Sequence, residues 1–160
     1  MIIRGIFPWC FTPELYAARP DYIESLTAFV RPKCLTSPST LRIGSFLSAV
    51  AVMLVAPEPA PLLDAALELM EAAVGEGEQF PAVHAGAAHG QALRRWGDYY
   101  GGPVNLAARL TERARPSSLI TDGVMRERAG DDGFAWTEAG FKRLKGMSEP
   151  TPVWRCRRAA

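Results

Sequence analysis

The stretch Val50-Ala51-Val52-Met53-Leu54-Val55-Ala56 constrains the fold more than any other, because it is apolar at every position and ends against Pro57 and Pro59. An uninterrupted apolar run of strand length predicts a strand covered on both faces, not one with a solvated side. Traced back to Ile43 the run covers 14 residues and includes Gly44 and two serines. That is short of the ~20 residues that cross a bilayer. A strand with two covered faces needs helices to cover it, and Leu62 to Val74 has the pattern of one. Asp64, Glu68 and Glu71 make one stripe, and Leu63, Leu67, Met70 and Val74 make the opposite, core-facing one.

Downstream the alternation continues. Gly75-Glu76-Gly77 closes the helix, Phe80 to Ala88 reads as a strand, and Gln91 to Arg95 as another. A turn then leads into a helix from about Pro103 to Ala114, stopped by Arg115-Pro116. Ser118 to Thr121 is a short strand and Gly123 to Arg128 a short helix, with a turn at Asp131-Asp132-Gly133. Strands over Phe134 to Glu138 and Pro152 to Arg157 flank a hairpin region from Gly140 to Gly146. This order predicts an α/β or α+β sandwich. Residues 1–49 behave differently: Pro8, Pro13, Pro20, Pro32 and Pro38 interrupt them, and only Tyr22 to Val30 could form a short helix. They are expected to be an irregular segment ahead of a domain over residues 50–160.

An apolar content of 48% and a charged content of 22% fit a globular domain. A net charge of +1 gives no footprint for nucleic acid, and Arg155-Cys156-Arg157-Arg158 reads as a solvated basic end. Cys10, Cys34 and Cys156 are odd in number and lack metal-ligand spacing, which points to reduced thiols and a cytoplasmic protein. No basic, cleavable leader pattern opens the chain. His84 and His89 have no carboxylate or cysteine at metal spacing beside them. Neither a Walker-type loop nor a dinucleotide glycine fingerprint occurs.

The chemistry concentrates in Gly97-Asp98-Tyr99-Tyr100-Gly101-Gly102-Pro103-Val104-Asn105-Leu106-Ala107-Ala108-Arg109. Asn105 and Arg109 stand four apart on the expected helix, so a carboxamide and a phosphate-gripping guanidinium share one face. Each residue also has a local reading. Asp98 before Gly-Gly is ordinary turn chemistry, Arg109 can pair with Glu112 a turn later, and Lys145 belongs to the basic run Phe141-Lys142-Arg143-Leu144-Lys145-Gly146.

Gly86-Ala87-Ala88-His89-Gly90, the Asp98 to Arg109 block and Leu144-Lys145-Gly146 before a closing strand together resemble the class III adenylate and guanylate cyclase catalytic domain. The resemblance runs from Val50 to Arg157. It implies a ferredoxin-like α/β domain whose site forms between two such domains. It further implies that Asp98 recognises adenine, favouring ATP, that Asn105 positions the ribose, that Arg109 stabilises the α-phosphate in the transition state, and that Lys145 holds the distal phosphates. The family's reaction requires two divalent ions held by two aspartates. The first belongs to a Phe-x-Asp-Ile-x-Gly-Phe-Thr type motif that nothing in residues 1–49 resembles. The second follows a glycine just before the apolar strand, and those two positions fall on Ala49 and Val50; a further purine-contacting lysine position falls on Phe46. Side chains of these types cannot coordinate a hard cation.

The expected domain is therefore incomplete at its amino-terminal part, lacking its central strand, with an exposed sheet edge and poor solubility or obligate association. No metal is expected on this chain, and magnesium or manganese only where a partner supplies the aspartates. A homodimer is expected to be inactive, a heterodimer with a complete cyclase domain could act on ATP, and a shifted reading frame upstream of Ala51 would also account for the abrupt change there.

Overall fold

A computed structural model of the chain describes residues 2–6, 42–44, 51–75, 82–96 and 98–159. Among them, seven strands form one sheet in the order β2 (Arg42–Gly44), β3 (Ala51–Val55), β1 (Ile2–Ile6), β4 (His84–Ala88), β7 (Leu119–Asp122), β9 (Thr151–Arg158) and β8 (Phe134–Lys142). The pair β4 and β7 is parallel, and the other neighbours are antiparallel. A separate hairpin joins β5 (Leu93–Arg95) to β6 (Asp98–Tyr100). The helices among the described residues are α1 (Pro59–Gly75), α2 (Gly102–Arg113) and α3 (Gly123–Ala129).

Strand alternation divides the apolar residues between two cores. Leu54 and Ala56, Ala85 and Ala87, Leu119 and Cys156 face α1, where Leu62, Leu63, Ala66, Leu67, Leu69, Met70 and Ala73 are buried. Met53 and Val55, Ala88, Ile120 and Val153 take the other face and pack with Ala107 and Leu110 of α2. The apolar run is thus covered on both sides from Met53 to Ala56, as its composition demands. Gly86 explains how closely α2 approaches. A Cβ there would lie 2.5 Å from the Ala107 carbonyl oxygen and 2.7 Å from Leu110 Cβ, so only glycine lets the helix backbone cross β4 at that point.

Several expectations need correction. Strands β1 and β2 both lie in the stretch expected to be irregular, and β1 pairs on both flanks, Ile2 to Ile6 with Val55 to Ala51 and with Ala88 to His84. The centre of the sheet is therefore filled, and its edges are β2 and β8. Short strands bounded by prolines carry too few residues for a period to show, which is why pattern reading missed them. The Tyr22 to Val30 helix lies outside the described residues. Val74 is 65% exposed, not core-facing, because it sits in the last turn of α1 beyond the sheet contacts. The basic end is strand, not solvated tail: Cys156 is 1% exposed, and Arg158 donates to Asp64 Oδ1 at 2.8 Å and to Glu71 Oε1 at 3.0 Å. The acidic stripe of α1 thereby fastens the last strand. Finally, β8 runs on to Lys142 through a register shift between Glu138 and Phe141, so the hairpin connection begins later than expected.

Candidate functional site

Asp98 opens a strand. In the β5–β6 hairpin it lies opposite Arg95, with Arg94 opposite Tyr99 and Leu93 opposite Tyr100, around a bend at Trp96 whose φ is 51°. Successive residues of a strand point to opposite faces. Tyr99 packs against the α2 core, so the half-buried Asp98 points away from it. One carboxylate oxygen, Oδ1, accepts from the Tyr99 amide at 2.8 Å, and Oδ2 has no partner among the described residues.

Two glycines and a proline set the start of α2. Gly101 has φ 133°, Pro103 occupies the first turn, and the Asn105 amide donates to the Gly101 carbonyl at 3.2 Å. Pro103 is tolerated there because the first turn has no intrahelical use for its missing N–H. Asn105 is exposed. Arg109, one turn on, is half-buried, and its Nη1 donates to Glu112 Oε1 at 2.6 Å. The local pairing anticipated for Arg109 is therefore made. Both partners are substantially exposed, so the pair is worth only ~0.2–1 kcal/mol.

Lys145 comes from the connection after β8. The Met147 amide donates to the Leu144 carbonyl at 3.1 Å, and Gly146 takes φ 84°, a turn that needs glycine at its third position. Leu144, 4% exposed, plugs into the core with Leu110 and Ala107, which holds Lys145 at the turn's exposed tip beside α2. No hydrogen bond or ion pair joins Asp98, Asn105, Arg109 and Lys145 to one another. What unites them is α2, with Asp98 attached through Tyr99 and Lys145 through Leu144.

Strands β1 and β3 read Ile-Ile-Arg-Gly-Ile and Ala-Val-Met-Leu-Val and bring no carboxylate to the centre of the sheet. Among the described residues no three His, Cys, Asp or Glu side chains converge. These residues do not fit a hard divalent cation, which takes oxygen ligands. Phe46, Ala49 and Val50 lie outside the described residues.

Other titratable groups stand apart from this face. Burial raises the carboxyl pKa of Asp122, although the Met125 amide at 3.1 Å and a backbone bond from His89 partly offset it. Burial lowers the pKa of His84, whose Nδ1 has no partner among the described residues. The Cys156 thiol is pushed up to about 12, chiefly by burial, and is no nucleophile at neutral pH. Sequence reasoning passed over Arg113 and read Arg143 only as part of a basic run; both share an open cavity with Lys145. The four-residue step from Arg109 to Arg113 was the available signal.

No family model matches the chain. It is 46% identical over 114 residues to a pH-sensitive adenylate cyclase of Mycobacterium tuberculosis, a match covering 69% of this chain and 28% of that protein. It is 32% identical over 102 residues to an adenylate cyclase of Glutamicibacter nicotianae, covering 63% of this chain and 25% of that one. The adenylyl cyclase CyaB of P. aeruginosa superposes with a TM-score of 0.79 over 99% of this chain and 94% of that chain, at 15% identity. The chain belongs to the class III adenylate/guanylate cyclase domains. This cyclase domain spans about a quarter of the length of the two curated relatives. Its fold is shared equally with the catalytic core of a rhodopsin-guanylyl cyclase in complex with ATPαS, TM-score 0.79 at 13% identity over 98% of this chain and 94% of that one. Among the described residues, no helix of the cyclase domain is long and apolar enough to cross a membrane.

Proposed function

We propose that the domain keeps the substrate-recognising half of an adenylate cyclase site and is inactive as a homodimer. The observation that carries this reading is the contrast between one face and the centre of the sheet. Asp98, Asn105, Arg109 and Lys145 are all held around α2, whereas β1 and β3 offer no carboxylate.

In the family's reaction the ribose 3′-oxygen attacks the α-phosphorus, the bond to the bridging oxygen breaks, pyrophosphate leaves, and the 3′-hydroxyl proton is lost. Asp98 is suited to the adenine end, where its partner-free Oδ2 can accept from an exocyclic amine. Asn105 offers both a donor and an acceptor to the ribose. Arg109, released from Glu112, meets the charge that develops on the α-phosphate, a task worth ~10²–10³-fold in rate at comparable sites. Lys145 is a compact charge for the distal phosphates. Magnesium or manganese enters only where a partner domain brings the aspartates. The test is direct: the purified chain, given ATP with Mg²⁺ or Mn²⁺, should make no cyclic AMP above background. Turnover comparable to a complete cyclase would overturn the reading.

The same one-sidedness favours a second reading, in which a complete cyclase contributes the metal aspartates in a heterodimer. Co-purified mixed dimers should then lose ~10²–10³-fold of their activity on Arg109→Ala in this chain. Unchanged activity would remove this chain from the chemistry.

A further inference from the structure

Arg113 ends α2, and Arg143 and Lys145 flank Leu144 in the connection between β8 and β9. All three line one open cavity of about 270 Å³ with Ser148, Glu149 and Met147. Three cations face a single carboxylate there. Arg113, Arg143 and Lys145 are all exposed, and none has an ion pair among the described residues, in contrast to Arg109 and Arg158. The buried Leu144 fixes the connection against Leu110 of α2, so the three charges are not three independent surface side chains. The volume is below the ~300–1,000 Å³ of a pocket for a whole small molecule, and its charge suits a compact polyanion.

Position along the helix narrows the ligand. Asn105, Arg109 and Arg113 recur every four residues and so follow one stripe of α2, with ~12 Å of axial rise from first to last. That is a length an extended ribose triphosphate covers. We infer that Arg113 and Arg143 join Lys145 to seat the diphosphate end of a nucleoside triphosphate and, after cleavage, free pyrophosphate. The inference rests on the nucleotide reading for the identity of the ligand, but the cavity itself is tested with pyrophosphate alone.

Binding of inorganic pyrophosphate to the full chain is measured by calorimetry, together with its competition against ATP. Arg113→Ala and Arg143→Ala should each weaken pyrophosphate about tenfold, as loss of a charge-assisted bond does. Arg113→Lys should recover part of the loss, and Arg128→Ala, an equal charge change on α3, should leave binding unaltered. Circular dichroism checks that each variant is folded. If pyrophosphate binds equally to wild type and both alanine variants, or if Arg128→Ala weakens it as much, the cavity is not its site and the inference fails. ATP binding that depends on Asp98 and Asn105 but ignores Arg113 and Arg143 also overturns it, while leaving the nucleotide reading intact. Pyrophosphate binding that needs both arginines in a chain unable to bind ATP supports the seat and defeats the nucleotide reading instead.

Discussion

Gly86 shows how much one missing methyl group can decide. The backbone of α2 at Ala107 and Thr111 occupies the space its Cβ would need, and backbone cannot move aside as a flexible side chain can. Gly86→Ala should therefore cost about 3 kcal/mol by overpacking, read as a lowered urea midpoint, and should displace the helix carrying Asn105 and Arg109. Asp122 makes a subtler case. It caps α3 through Met125, yet burial raises its pKa, so its charge opposes the fold. A raised carboxyl pKa means that stability is greatest below the ordinary value of 3.8, falls as pH climbs through the raised one, and is level at neutral pH. Asp122→Asn keeps the cap and removes the charge, so it should raise the urea midpoint at neutral pH, whereas Asp122→Ala should lose about 1 kcal/mol of capping. His84 acts in the opposite direction. Its pKa is lowered, so its contribution is complete above the ordinary value of 6.5 and lost as pH falls below it. His84→Leu, which also removes an Nδ1 without a partner among the described residues, should flatten the acid limb of a stability profile.

At the level of elements, legibility followed signal length. The Ala51–Val55 strand, α1, α2 and the closing strand were readable because each shows either a long period or a sharp stop, and α2 begins and ends within a residue of its expected bounds. Strand β6 was not readable: three residues, Asp98, Tyr99 and Tyr100, contain no alternation, and Asp98 beside glycines resembles a turn. Roles for Asp98, Asn105, Arg109 and Lys145 came from the order of motifs, and spacing alone revealed only that Asn105 and Arg109 share a helix face. The pairing of Arg158 with Asp64 and Glu71 was invisible because partners so far apart in sequence leave no local trace. These groups remain partly exposed, so Arg158→Ala should cost no more than about 1 kcal/mol, less at high salt, by chemical denaturation. A larger loss would mean that the clamp, not the buried apolar face of α1, holds the last strand.

For the molecule as a whole, the decisive element is a strand of only five residues, Ile2–Ile6. Removing residues 1–6 would leave β3 and β4 without their shared neighbour and split the sheet in two. That truncation should abolish cooperative unfolding and drive the protein into aggregates, measured by soluble yield and thermal melts. A soluble truncation with an unchanged melt would show that β1 adds little. The placement of β1 also sets a timetable. One of the two partners of β1 lies roughly eighty residues further along the chain, so the central sheet cannot close until β4 has been made. Until then Ile2 to Ile6 can pair only with Ala51 to Val55 and keeps its other edge open, so slow synthesis, or a chaperone that shields that edge, should raise the yield of folded protein.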